Sequence, residues 1–379
     1  MKLTRVFTAF FENEKASGII LLCCTAISLF AANSSFHQTY ISFFENKIGS
    51  LSILHWINEG LMSIFFLLIG LELEREFYNG ELSKKENAIL PLVGALGGMI
   101  VPAIIFLIFN YGTKYSSGAG IPMATDIAFA LGALSLLGKR IPAALKIFLA
   151  ALAVIDDLGA IIVISIFYSN TIAWLYLLFV GFIWIILFVL NRLKFYNLLF
   201  YIIGGVGMWY CMLHSGVHAS ITGVILAFAI PFGDGKENSI SHKLELALQK
   251  PVAFFIVPLF VLANTAISIS AESVLLLKEN VSLGIFAGLV IGKPLGIISF
   301  CFIALKLKIA KLPDRLKFKN FIGVSFLAGI GFTMSVFIAM LAFQDINIIH
   351  AAKLMIIIAS FVAASIGLAI LYFTLRRRT

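Results

Sequence analysis

Ala153-Val154-Ile155-Asp156-Asp157-Leu158-Gly159-Ala160 sets two adjacent carboxylates in the middle of an apolar run, 147–168. A run of that length crosses a bilayer, since ~20 residues at ~1.5 Å rise cover ~30 Å of hydrocarbon. An Asp at the centre of such a helix costs about 2.5–3.5 kcal/mol even on lenient insertion scales. Only 12% of the chain is charged. Two acids at that depth therefore read as part of an ion or proton path rather than as an inert buried pair. Neighbouring residues on a helix point ~100° apart. One acid can face a water-filled cavity while the other faces a protein partner.

The rest of the composition agrees with a membrane setting. The 379 residues are 61% hydrophobic, with a mean hydropathy of +1.03, whereas a soluble domain is about 45–50% apolar. The reading is an all-α polytopic membrane protein. The four cysteines, Cys23, Cys24, Cys211 and Cys301, all lie in apolar runs and read as small core residues, not as disulfides or metal ligands. Lys2, Arg5 and Lys15 precede the apolar run 18–32 in the manner of a signal peptide. Glu12 and Glu14 stand where a signal peptide keeps positive charge, which favours an uncleaved first span.

Twelve spans can be read, near 17–32, 57–74, 88–110, 121–137, 143–168, 172–190, 198–213, 216–232, 250–268, 281–305, 321–343 and 351–375. Alternate connecting segments hold 23 of the 28 Lys and Arg, from Lys2 and Arg5 through Lys306, Lys308 and Lys311 to Arg376, Arg377 and Arg378. The other segments hold only Lys47, Lys114, Lys278 and Lys353, and Lys293 lies inside a span. The excess accounts for the net charge of +9 without a nucleic-acid partner and predicts both termini in the cytoplasm.

Two spans are poor helices in corresponding places. The fourth contains Gly120-Ile121-Pro122-Met123-Ala124-Thr125-Asp126, and the eleventh Leu327-Ala328-Gly329-Ile330-Gly331-Phe332-Thr333. Pro removes a backbone donor and Gly loosens a helix, so both spans are expected to be interrupted mid-membrane. The preceding spans are alike as well, with Gly94-Ala95-Leu96-Gly97-Gly98 and Pro102 in the third and Gly288, Gly292-Lys293-Pro294-Leu295-Gly296 in the tenth. Spans 3–5 and 10–12 start from opposite sides, so the predicted repeat is inverted, an arrangement that puts transporter sites at the bilayer midplane. Glycine-rich spans also occur wherever helices simply pack closely.

The ionisable residues inside the spans are Asp126, Asp156, Asp157 and Lys293, with Glu59 and His218 near span ends. Three acids and one base suit a site that trades a cation for protons. Broken helices present positive N-terminal and negative C-terminal ends, which Asp126 and Lys293 are placed to offset. Lys293 sits midway along 281–305, too deep to snorkel. The Thr125 hydroxyl is either an oxygen for a hard cation or a helix cap. Glu72, Arg75 and Glu76 share a helix face at i, i+3 and i+4, as a proton-responsive cluster or as an ordinary solvated helix end. His214 and His218 have i, i+4 spacing, but no third ligand is near, so titrating or packing roles are expected instead of zinc.

These residues carry a resemblance. Trp56-Ile57-Asn58-Glu59-Gly60-Leu61-Met62, Phe65-Phe66-Leu67-Leu68-Ile69-Gly70-Leu71-Glu72, Ala124-Thr125-Asp126-Ile127-Ala128-Phe129-Ala130-Leu131-Gly132, Ile155-Asp156-Asp157-Leu158-Gly159-Ala160, Ser215-Gly216-Val217-His218-Ala219, Ile291-Gly292-Lys293-Pro294-Leu295-Gly296 and Gly329-Ile330-Gly331-Phe332-Thr333-Met334-Ser335 together resemble the NhaA family of bacterial sodium/proton antiporters. That family is itself one of the known cases of the inverted arrangement. The similarity spans nearly the whole chain. It implies about twelve helices, spans 4 and 11 being interrupted and crossed. It implies a core domain, 88–170 and 281–375, that moves against an interface domain, 1–87 and 171–280. It makes Asp156 and Asp157 the exchange site, with Asp157 the main Na+ ligand and Asp156 and Thr125 beside it, Thr125 and Asp126 at the crossing and cation site, and Lys293 paired with Asp156. It assigns Glu72, Arg75, Glu76, His218 and Glu245 to pH response. The resemblance further implies lithium as a second substrate and more protons than sodium ions moved per cycle, serving sodium and pH homeostasis and salt tolerance in the bacterial inner membrane. The family pairs protomers through a β-hairpin in the outside loop. Here that loop, 33–56, is short and only Ile48-Gly49-Ser50-Leu51-Ser52-Ile53 alternates, and Glu59 stands where the family often has Asp.

No Gly-x-x-x-x-Gly-Lys-Ser/Thr loop occurs and no soluble segment is large enough to hydrolyse ATP. The expectation is a secondary transporter, not an enzyme, with no cofactor, nucleotide or nucleic acid, working in the bilayer as a homodimer. A sodium-coupled symporter would want polar or aromatic groups for an organic substrate beside the broken spans. An intramembrane aspartyl protease would want Tyr-Asp and Gly-x-Gly-Asp on facing helices, but the contexts here are Thr125-Asp126 and Ile155-Asp156-Asp157.

Overall fold

The structure is a computed structural model that describes residues 2–83, 85–168, 172–233, 239–269, 274–312 and 318–375. Of the basic residues in the charge pattern, Lys84, Lys236, Arg315, Lys317, Arg376, Arg377 and Arg378 lie outside the described residues.

Nearly all of the described chain is helical. In order the helices are α1 (Lys2–Ala32), α2 (His37–Glu45), α3 (Ile53–Tyr78), α4 (Lys85–Asn110), α5 (Ile127–Ser135), α6 (Ala143–Phe167), α7 (Trp174–Arg192), α8 (Leu198–Leu213), α9 (Thr222–Ala227), α10 (Ile240–Asn264), α11 (Asn280–Lys306), α12 (Phe318–Ala328), α13 (Phe332–Ala342) and α14 (Ile346–Leu375). Among the described residues, eight helices are long and apolar enough to cross a membrane, or up to 10 when each of two bent pairs counts as one span. The chain is an all-α polytopic membrane protein.

Two expected spans take a different form. The stretch 216–232 is a short 3-10 turn, Ala219–Ile221, followed by the six residues of α9. Gly216 holds a φ of +84° before it, and Pro231 follows. The span expected at 250–268 begins ten residues earlier, because 240–250 is amphipathic and turns Ser241 and Glu245 inward. Of the four cysteines, all free, Cys301 is buried but Cys23 is exposed on its helix, so it is not a core residue.

The chain separates into two compact units. One is Met1–Ser35, Lys84–Ala160 and Asn264–Thr379, and the other is Phe36–Ser83 and Ile161–Ala263. This grouping differs at its edges from the expected division. The first span joins the unit that holds the acid pair, because α1 packs along α5, where a side chain at Gly18 would touch Gly132. The boundary expected at 170 lies instead between Ala160 and Ile161, inside α6.

In the first unit, α4 lies against α11 along much of its length. A Cβ on Gly97 would overlap the carbonyl of Gly296, and one on Gly296 would overlap that of Gly97. The two backbones touch, the close approach small residues permit between membrane helices. In the second unit, α3 and α9 pack in the same manner, with Gly223 against the Ser63 carbonyl and Gly70 against Val224 and Ala227. A small hairpin, β1 (Lys47–Ile48) and β2 (Leu51–Ser52), lies in the same unit, with Lys47 opposite Ser52 and Gly49 at φ +70° in the turn. Trp56 Nε1 donates to Ile48 O (3.0 Å) and ties the hairpin to the start of α3.

Candidate functional site

The acid pair rides on α6, an unbroken helix of 25 residues. Asp156 is 0% exposed and Asp157 1%. Facing them are two interrupted segments of the same unit. The first is a 3-10 stretch, Ser116–Met123, that contains Pro122, then extended backbone at Ala124 (ψ 150°) and Asp126 (ψ 101°), then α5. The second is α12 and α13, broken after Ala328 and bent by 46°. Glycines at 329 and 331 suit that break, because a Cβ on Gly329 would meet the Leu289 carbonyl.

The two breaks bind each other. The Asp126 N–H donates to Ile330 O (2.7 Å). Asp126 Oδ1 accepts from the Phe129 N–H (3.0 Å) and caps α5, while Oδ2 accepts from the Thr333 N–H (3.0 Å) and hydroxyl at the start of α13. One carboxylate thus satisfies orphan donors at two helix N-termini, where the partial positive charge of each helix is concentrated. The opposite ends are met by donors. Lys293 Nζ donates to Met123 O at the end of the 3-10 stretch, and the Thr125 hydroxyl lies 2.9 Å from Ala328 O at the end of α12. Ser335 Oγ donates to Ile121 O (2.7 Å).

Lys293 is 0% exposed and forms an ion pair with Asp156, Nζ to Oδ2, at 2.7 Å. It follows a π-helical turn, Gly288–Gly292, and precedes Pro294. Pro294 has no N–H for the carbonyl four residues back, so the helix widens there, as helices often do at functional positions. The Thr125 hydroxyl is also 2.7 Å from Asp156 Oδ2. A hydroxyl has one proton, so it serves either Asp156 or Ala328 at a given moment. Among the described residues, Asp156 Oδ1 has no hydrogen-bond partner. The structure therefore brings Thr125, Asp126, Asp156, Asp157 and Lys293 into one buried polar cluster. Sequence reasoning assigned no role to Thr333 or to the carbonyls of Met123, Ala328 and Ile330. The only signal for Thr333 is a hydroxyl beside the second glycine pair.

The match to known proteins extends over the site and both units. A family profile described as Na+/H+ antiporter 1 matches residues 8–371. The chain belongs to that family. Proteins named Na(+)/H(+) antiporter NhaA 1 from Flavobacterium johnsoniae and Na(+)/H(+) antiporter NhaA from Flavobacterium psychrophilum are each 58% identical to it. The alignments cover 99% of this chain and 98% and 97% of those relatives. A protein of the same name from Dechloromonas aromatica is 53% identical over 370 residues, covering 97% of this chain and 95% of that relative.

The residues that the family resemblance ties to pH response lie in the second unit, in two groups. Arg75 Nη1 pairs with Glu245 Oε1 at 2.9 Å and Arg75 Nη2 with Glu76 Oε1 at 3.3 Å, and Glu72 is on the same face of α3. His242, which sequence reasoning missed, lies 3.8 Å from Glu245 Oε2. His218 is not with them. Its Nδ1 is 3.1 Å from Glu59 Oε1, and Glu59 Oε2 accepts from the Ser220 N–H (3.1 Å). Glu59 and Arg75 are sixteen positions apart on α3, or ~24 Å at ~1.5 Å per residue. His214 contacts Tyr210 instead, so the histidine pair does not converge. Among the described residues no group of three His, Cys, Asp or Glu is placed to hold a metal ion.

Proposed function

We propose that this chain is a secondary antiporter of the bacterial cytoplasmic membrane, exporting Na+ or Li+ in exchange for external protons without nucleotide or cofactor. The observation that carries the reading is the buried Asp156–Asp157 pair beside two helix breaks. The similarity to proteins named Na(+)/H(+) antiporter supports it.

Asp157 is the principal ligand of the transported cation, with Asp156 and the Thr125 hydroxyl adding oxygens of the kind hard cations take. Cation and proton compete for the same carboxylates, because a bound sodium ion stabilises the anion and lowers its proton affinity, while protonation removes the charge that the cation needs. Lys293 holds Asp156 between turnovers and releases it when the cation arrives. Asp126 positions the site by holding both breaks. Exchange is obligatory if only the occupied forms cross between inward-open and outward-open states. Two carboxylates against one sodium ion make the cycle electrogenic.

The architecture under this reading has twelve spans, α8 and the 216–232 stretch included, with spans 3–5 and 10–12 as an inverted repeat. The core moves against the interface domain, and both termini lie in the cytoplasm, as the Lys and Arg distribution supports. The Arg75, Glu76, Glu245 and Glu72 cluster and the separate His218–Glu59 pair set the pH response. A second copy pairs through the 47–52 hairpin. The deciding test is sodium-dependent proton flux by the purified chain in proteoliposomes. Alkaline-side dequenching of a pH dye on addition of Na+ or Li+ but not K+ is the expected result. Absence of flux with correctly inserted protein overturns the reading.

A further inference from the structure

The start of α13 has a second anchor besides Asp126. First-turn N–H groups have no partner within their own helix. That of Thr333 goes to Asp126 Oδ2, and that of Phe332 goes to Ser360 Oγ on α14, at 3.2 Å. Ser360 lies at the middle of α14, an unbroken helix of 30 residues, and is 6% exposed. The helix carries two other hydroxyl side chains in its Ser and Thr residues, Ser365 and Thr374. Both turn back on their own helix, to Phe361 O (2.8 Å) and Ile370 O (2.8 Å). The Ser360 oxygen instead serves the break. Its neighbours on the helix keep it there. A Cβ on Gly329 would come within 3.3 Å of that of Ala363, and one on Gly367 would meet the Gly323 carbonyl in α12. Ser360, Ala363 and Gly367, at i, i+3 and i+7, thus lie on the face that α14 turns to the broken pair.

We propose that Ser360 is a positioning residue for the exchange site, fixing the start of α13 so that Thr333 meets Asp126 and Asp126 sets the Thr125 hydroxyl beside Asp156. This rests on the antiporter reading above. The bonds made by Ile330 O, Thr333, Ala328 O and Ser335 all run to the first interrupted segment. They hold two irregular segments to each other, and none of them ties the second break to a regular helix. The Ser360 bond does. The Phe332 ring packs edge-on against Phe129 at 4.8 Å, a contact that limits movement but sets no hydrogen-bond direction. A helix end held at one carboxylate can turn about it. A second N–H fixed one residue away, ~100° around the helix, removes that freedom. Asp126 follows Thr125 directly, so a turn of α13 that drags Asp126 carries the Thr125 hydroxyl from its place 2.7 Å from Asp156 Oδ2. Thr125 supplies an oxygen to the cation under the antiporter reading, so the loss falls on sodium affinity.

The test measures sodium-dependent proton flux by the full chain in proteoliposomes, at one pH and over a range of Na+ concentrations, with inserted protein quantified for each variant. Ser360→Ala should raise the KM for Na+ roughly three- to tenfold, the worth of one hydrogen bond, with little change in the rate at saturating Na+. Ser360→Cys, close in shape but a weaker acceptor, should fall between Ser360→Ala and the unaltered chain. Ser365→Ala, whose hydroxyl bonds only within α14, should leave both constants alone. A fall in the saturating rate or in melting temperature with KM unmoved means that Ser360 serves stability only, and overturns the proposal. So does a KM rise of the same size in Ser365→Ala. If Ser360→Ala fails to insert, Ser360→Cys decides by the same criterion. No sodium-dependent flux from the unaltered chain would overturn the antiporter reading and this proposal with it, whereas normal flux from that chain with an unmoved KM in both Ser360 variants overturns this proposal alone.

Discussion

Asp157 and Asp156 are neighbours with unequal surroundings, and substitutions should separate their roles. Asp156 Oδ2 is held by Lys293 and approached by Thr125. Asp157→Asn is expected to insert normally but to lose both sodium binding and sodium-driven dequenching of a pH dye; full exchange by that variant would refute its assignment as principal ligand. Lys293→Ala removes one partner of a buried ion pair, a change that costs about 3–5 kcal/mol because the other charge is left uncompensated. The variant should melt at a lower temperature, and adding Asp156→Asn should restore part of the loss. Strict additivity in that double-mutant cycle would mean the two side chains do not couple. These acids and the lysine were legible in the sequence because a charge in an apolar run is conspicuous. Thr333, the Met123 carbonyl and the Ala328 carbonyl were not, because no charge marks them; a hydroxyl stands out only where an acid adjoins it, as Asp126 adjoins Thr125, and a backbone oxygen carries no signal until the chain is folded.

At the scale of helices, the interruptions were readable because Pro122, Gly329 and Gly331 act on the backbone directly. Span lengths were less so. Hydropathy joined 216–232 into one helix, whereas the positive φ at Gly216 and the press of Gly223 on Ser63 leave only α9. The seam between α4 and α11 provides a direct check on the fold. Gly296→Val should clash with the Gly97 carbonyl and cost at least the ~1–3 kcal/mol typical of overpacking. Gly181→Ala, with nothing within 4 Å of the added carbon, should be silent. Thermal unfolding in detergent compares the two, and equal melting temperatures would contradict the close approach.

For the whole chain, membership of the two units was the least legible feature. Hydropathy says that α1 spans a membrane, but its grouping depends on small-residue contacts such as that of Gly18 with Gly132. Two predictions concern the complete transporter. If two carboxylates release protons for each sodium ion, an inside-negative potential should accelerate sodium export, each charge being worth about 2.3 kcal/mol per 100 mV. Rates that ignore a potassium/valinomycin clamp, with the clamp verified by a voltage dye, would mean one proton per sodium ion. Deleting the hairpin residues 47–52 should lower the dimer fraction seen by light scattering, and an unchanged fraction would place the contact elsewhere.

The mutual capping of the two breaks also bears on how slowly their amides trade hydrogen for deuterium. Non-helical backbone ordinarily exchanges fast, because little holds its N–H groups. Here the Asp126 N–H is bonded to Ile330 O, and the Thr333 N–H to Asp126 Oδ2. Neither amide can be freed while the other segment stays in place. The two amides should therefore share one high protection factor and one opening event, an island of slow exchange in stretches that composition alone would mark as the loosest of the unit.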